Sequence, residues 1–160
     1  MSMLALLLAT AAQAAPAPAE PRVFRDWIAG CDNTRFCTAV ALFPESGDSE
    51  AALTASLTRG GEANAAPVLT IHRVPRRPAR LLADGRAVTA RLSGDEDVVA
   101  TFADGATLAR TLRGARTLRL EDAQGRAIGD VSLAGVAAAM LFIDEAQGRL
   151  GTATALVRTG

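Results

Sequence analysis

The sequence predicts one α+β domain: a mainly antiparallel sheet, or two sheets packed as a sandwich, carrying one short and one longer late helix. Three observations lead there. From residue 23 onward, short apolar runs alternate with clusters of Gly, Pro, Asp and Asn, the pattern of strands joined by turns. The helical period enters only late, most clearly over residues 133–147. Finally, 160 residues, 49% of them hydrophobic, suffice for one core that buries roughly two thirds of the unfolded chain's surface, and are too few for two.

The chain opens on an apolar run from Met3 to Ala12, then Ala12-Gln13-Ala14, the small-x-small pattern that a signal peptidase reads. Residues 1–14 are expected to be a signal peptide cleaved after Ala14, with only the terminal amine supplying charge ahead of the run. The run falls short of the roughly 20 apolar residues that cross a bilayer, and no later segment comes closer, so no transmembrane segment is expected. Ile28-Ala29-Gly30-Cys31 spells the tetrapeptide that precedes a lipidated cysteine. Glu20, Arg22, Arg25 and Asp26 separate it from the apolar run, however, and four charges would not enter the membrane with it. The expected destination is the periplasm or the exterior. Residues 15–22, rich in Pro and Ala, read as a flexible tether, and 23–160 as a single globular domain.

Within the domain, residues 23–28 and 36–43 read as strands on either side of Cys31-Asp32-Asn33-Thr34-Arg35-Phe36-Cys37. Two cysteines across a turn-forming Asp-Asn, in an oxidising compartment, predict a Cys31–Cys37 disulfide with Trp27 and Phe36 packed around it. Strands follow at 51–58 and 68–71, separated by Gly60-Gly61. The stretch from His72 to Arg80 holds two prolines, which remove ladder donors, so it is a loop or an edge. Residues 88–92 and 98–102 alternate as strands around the acidic turn Gly94-Asp95-Glu96-Asp97. Asp104 is placed to cap a short helix with Leu108 and Leu112 on one face and Gly114 as a left-handed stop; a hairpin turning at Asp104-Gly105 is the rival. Residues 117–121 and 126–131 form a hairpin turning at 122–125, with Leu118 and Leu120 inward. Ser132 is expected to cap the long helix over 133–147, whose apolar face is traced by Leu133, Val136, Ala137, Met140, Leu141 and Asp144 and which Gly148 ends. A last strand over 152–158 completes the sheet.

Seventeen basic residues, all Arg, balance seventeen acidic ones, so no net field favours nucleic acid or an anionic membrane. Two cysteines and the lone His72 are too few for a metal centre, and no Cys-x-x-Cys suggests redox work. The acidic turn at 95–97 has carboxylates that suit calcium, but an ordinary solvated turn explains them without an ion. No serine sits in a nucleophile elbow, and His72 alone is no catalyst, so no catalytic residue, cofactor or metal is expected and the chain reads as a non-enzyme. The candidate binding residues are Arg73, Arg76, Arg77 and Arg80, whose guanidiniums can make bidentate contacts with an anionic partner unless they are simply solvated.

Two blocks of residues carry a family resemblance. Phe24-Arg25-Asp26-Trp27, Cys31-Asp32-Asn33 and Cys37 open the domain; Ser132-Leu133-Ala134-Gly135, Ile143-Asp144-Glu145 and Gln147-Gly148-Arg149-Leu150-Gly151-Thr152 close it. Together they resemble the exported bacterial family catalogued as domain of unknown function eleven seventy-six, whose members are typically about twice as long, so the likeness is to their amino-terminal lobe. The opening Phe-x-Asp-Trp and the Ser-Leu-x-Gly entry to the late helix are also similar to the invasion-associated locus B proteins, which implies an envelope or host protein as partner. Neither resemblance brings a reaction, and residues 45–100 match neither. The reading is an exported, non-enzymatic binding or interaction module. The alternative is a small-molecule-binding or hydrolytic protein whose cleft is lined by residues 45–100, and a third possibility is a structural subunit that works only with the rest of a longer chain.

Overall fold

A computed structural model describes residues 17–43 and 52–158, so the expected signal peptide and its cleavage site lie outside the described residues. Eleven strands and two helices follow one another: β1 (Ala19–Phe24), β2 (Trp27–Cys31), β3 (Cys37–Ala41), β4 (Thr54–Arg59), β5 (Val68–His72), β6 (Arg80–Ala83), β7 (Arg86–Ala87), β8 (Arg91–Ser93), β9 (Val98–Thr101), α1 (Gly105–Gly114), β10 (Thr117–Glu121), β11 (Ala127–Ser132) and α2 (Val136–Ala146). They form a seven-stranded sheet in the order β1-β2-β3-β4-β5-β9-β8 and a four-stranded sheet in the order β11-β10-β6-β7, every pair antiparallel. The predicted α+β, sandwich-like architecture with two helices is what the chain adopts.

Alternation dictates which face of the large sheet is buried. Trp27, Ala29 and Cys31 on β2, Cys37, Ala39 and Ala41 on β3, Ala55 and Leu57 on β4, and Leu69 and Ile71 on β5 all point inward. α2 lies across β1, β2 and β3 and contributes Val136, Ala139, Met140 and Ile143; the small sheet adds Leu81, Leu118, Leu120 and Val131 to the same continuous core. Small alanines on β2 and β3, Ala29, Ala39 and Ala41, leave room for the helix against the sheet. Cys31 and Cys37 face each other at the β2–β3 end with their Cα atoms 4.0 Å apart and form the expected disulfide. Closing a seven-residue ring stabilises the fold by about 2–2.5 kcal/mol on chain entropy.

Several local expectations are corrected. Residues 19–22 are not a tether but the first part of β1, paired with β2. Residues 23–28 do not run as one strand: the chain reverses at Arg25 (φ 55°) and Asp26, because Asp26 is held by Ala134 and Ser132 from the far end of the chain. β6 and β7 were not expected, though Asp84-Gly85, both at positive φ (48° and 78°), is the dipeptide that a two-residue hairpin turn wants. Asp104 caps α1 as predicted, its carboxylate accepting from the Thr107 amide at 2.6 Å, but Gly114 is no left-handed stop, and the helix ends where Ala115 turns extended. Ser132 is the last residue of β11 instead of a helix cap; Gly135 caps α2. On α2, Ala137 and Leu141 face solvent while Ala139, Phe142 and Ile143 take their place in the core. Phe36 is 45% exposed and does not pack around the disulfide, and Trp27, fully buried, stands opposite Ala41 at the other end of the β2–β3 pair. Residues 152–157 form turns and bends, not a strand: Thr152, Thr154 and Ala155 donate their amides within the turns, and Asp144 takes those of Leu156 and Val157.

Candidate functional site

The two blocks of motif residues, more than a hundred positions apart, are brought into contact. The Ser132 hydroxyl donates to Asp26 Oδ2 at 2.5 Å, Trp27 Nε1 donates to the Ser132 carbonyl at 2.9 Å, and the Asp26 amide donates to the Ala134 carbonyl at 3.1 Å. Gly135 closes this contact at φ 93°, with its α-carbon so near the Phe24 carbonyl that a methyl would land on it. The late motif makes a second lock. Asp144, fully buried, accepts from Arg59 Nη1 at 3.3 Å and from the amides of Leu156 and Val157 at 2.9 and 2.8 Å. Arg59 also donates to the carbonyls of Ala65 and Thr154. Burial, and then the nearby Arg149, pull its guanidinium below the usual arginine range, while Asp144 opposes them. Gln147 Nε2 reaches the carbonyls of Arg35, Arg59 and Gly60, tying the disulfide turn to the end of α2, and Arg149 donates to the carbonyl of Glu62. Apart from the half-buried Asp26 and Ser132 these groups are buried, and all but Gln147 Oε1, which has no hydrogen-bond partner among the described residues, are engaged. They fasten the chain together, and they offer a ligand little.

The four candidate arginines are only partly free. Arg76 lies 3.4 Å from Asp122 Oδ2 and donates to the Ala127 carbonyl, and Arg80 pairs with Glu121 at 2.9 Å. Asp122 also accepts from the Arg126 amide and guanidinium, which hold its carboxyl below the ordinary aspartate range. Arg73 and Arg77 lie with Arg76 around a shallow depression of about 410 Å³ whose rim also carries Asp95 and Glu96, so its charge is mixed. Among the described residues no group of three or more His, Cys, Asp or Glu is placed to hold a metal ion.

The outer face of the large sheet is different in kind. Residues directly opposite in an antiparallel pair share a face, so the register places Ile28, Val40, Ser56, Thr70 and Val99 in one row across five strands and Thr38, Thr58 and Val68 in the next. All are half-buried or exposed and none is charged. At one end of this face stands a chain of three polar residues. The Ser56 hydroxyl is 2.8 Å from His72 Nε2, and His72 Nδ1 is 3.0 Å from Asp97 Oδ1. A carboxylate only accepts, so Asp97 fixes the proton on Nδ1 and leaves Nε2 to accept from Ser56. The imidazole is about one-third exposed and Asp97 about two-thirds. The sequence singles out His72, and Asp97 only as one carboxylate of the acidic turn at 95–97; Ser56 carries no signal in it. The signal that could have found them is register: with β4 and β5 paired so that Ser56 lies opposite Thr70, Ser56 and His72 become diagonal neighbours.

The family described as "Protein of unknown function (DUF1176)" matches residues 21–160. The chain is also similar to "Uncharacterized protein YpfG" of Escherichia coli (strain K12), 34% identical over 174 aligned residues that take in 98% of this chain and 46% of the relative. The chain thus spans about half the length of the curated relative it matches. No solved structure matches. The likeness to the invasion-associated locus B proteins finds no support in these comparisons.

Proposed function

The chain belongs to the DUF1176 family, and we propose that it serves there as an exported cell-envelope module that binds a protein partner through the outer face of the large sheet. The observation that carries this reading is the neutrality of that face. A solvated sheet face ordinarily carries Lys, Arg, Asp or Glu in alternation, whereas here the central strands present Thr, Ser and Val. Along its central strands such a face loses little on desolvation, since hydroxyls re-pair readily and the nearest carboxylate, Asp97, stands at one end of it. Arg73 and Arg77, beyond the end of β5, would sit at the rim and meet an anionic group on the partner.

Mass spectrometry on protein recovered from the periplasm tests the proposal. The expected denaturing mass is that of the chain cleaved after Ala14, less two hydrogens for the disulfide. Under native conditions a partner protein should remain bound to the wild type and be lost from Val40→Lys and Thr58→Lys variants that keep the wild-type circular dichroism. An uncleaved chain with free thiols would overturn the exported reading, and a partner retained equally by both variants would remove the face from it.

A further inference from the structure

Beyond binding, and contrary to the expectation that the chain carries no chemistry, we propose that Ser56, His72 and Asp97 form a solvent-open acyl-transfer site for short, uncharged carboxylic esters. A nucleophile–base–orienter constellation is recognised by geometry and roles, not by order in the sequence, and both links are present at hydrogen-bond distance, 2.8 Å and 3.0 Å. Asp97 holds the imidazole in the tautomer that the reaction requires. All three side chains meet at the outer face of the large sheet, where Ser56 and His72 stay part-exposed, unlike Asp144, whose two carboxylate oxygens are engaged in the core.

The reaction balances with water alone. Ser56 Oγ attacks the ester carbonyl carbon while its proton passes to His72 Nε2; the tetrahedral intermediate collapses, and the departing alkoxide takes that proton and leaves as the alcohol. Water then gives a proton to Nε2 as its oxygen attacks the acyl carbon, and Ser56 regains its hydrogen as the carboxylic acid is released. Both edges of β4 are hydrogen-bonded to β3 and β5, so the backbone has no spare amide for the oxyanion. The donors available are the hydroxyls of Thr70, opposite Ser56, and Thr54, opposite His72. Hydroxyl donors on an open face stabilise charge less than a buried pair of amides, which makes this a slow site suited to a reactive ester. The surroundings set the substrate class. With Val40, Thr54, Thr58 and Thr70 around the serine no cation among the described residues stands beside it to hold a carboxylate or a phosphate, Arg73 and Arg77 lying beyond the end of β5, and the sheet gives a long acyl chain nowhere to lie. A short acyl group displayed on a neutral alcohol is what fits.

Intact-mass analysis after treatment with a fluorophosphonate, together with hydrolysis of 4-nitrophenyl acetate, tests the assignment. The wild type should gain a single phosphonyl adduct, mapped to Ser56, and Ser56→Ala should gain none while keeping its fold. His72→Ala should slow both labelling and ester hydrolysis by about 100-fold or more, the usual contribution of a positioned general base. Asp97→Asn, which can donate to Nδ1 and so turn the imidazole to the wrong tautomer, should slow both more than Asp97→Ala. An adduct on any residue other than Ser56, no adduct at all, or labelling unchanged in His72→Ala would overturn the proposal. Each of these results is independent of whether a partner protein binds the face.

Discussion

The end of α2 and the outer face of the large sheet hold similar chemistry in opposite states. At α2, Asp144 and Arg59 are paired in the core, with every oxygen of the carboxylate engaged by a guanidinium or an amide. On the outer face, Asp97 and His72 are linked at the surface and end in a serine hydroxyl that has room to meet another molecule. Asp144, Gln147 and Arg149 of the late motif belong to the first region, and Ser56, His72 and Asp97, which lie in neither motif, belong to the second. A motif can be accounted for by the contacts that hold a chain together.

The contrast breaks most sharply at Asp144. Asp144→Ala leaves the Arg59 charge buried without its partner and orphans the amides of Leu156 and Val157. Removing one member of a buried pair costs about 3–5 kcal/mol, so urea denaturation should show a much lower midpoint, or no folded protein at 37 °C. An Arg59→Met/Asp144→Leu double variant sharpens the point. If the cost lies in the stranded charge, the double variant should be more stable than Asp144→Ala even though the two amides stay unpaired.

Gly135→Ala comes next. The glycine sits at φ 93°, where an L side chain is strained, and the added methyl meets the Phe24 carbonyl, which must move out of the first hairpin. A loss of about 2–3 kcal/mol is expected, read as a lower urea midpoint, with trypsin cleavage at Arg25 as the local sign that the Asp26–Ser132 contact has opened. A wild-type midpoint would mean that the contact between the two motif blocks is loose.

These two sites also mark the limit of what the sequence made legible. Local signals read well: the alternation of β3, β4 and β5, the hairpin of β10 and β11, the Asp104 cap and the disulfide were all visible in short windows. What failed was non-local. Asp144 falls on the face that the helical spacing turns inward, but no short window shows its partner, Arg59, 85 positions off. Ser132 looked like a cap because serine before an apolar run usually is one, and instead it holds Asp26, 106 positions away. At the candidate site His72 stood out as the lone histidine, but its neighbours depend on the pairing of β4 with β5 and on where the 94–97 turn lands, and alternation alone does not fix a register.

The smallest effect on stability is expected at Ser56, and it is the one that separates the two regions most cleanly. Ser56→Ala removes one half-exposed hydroxyl and strands no buried group, since Nε2 of His72 can turn to water. Its change in unfolding free energy should lie within about 0.5 kcal/mol, the range of ordinary surface substitutions, so the urea midpoint should match the wild type. Set beside Asp144→Ala, that result would make the comparison quantitative: a carboxylate the fold cannot lose, and a hydroxyl it does not need. A loss at Ser56 of the size expected at Gly135 would instead make the Ser56, His72 and Asp97 chain a third lock, with its hydrogen bonds serving to pin β4 to β5.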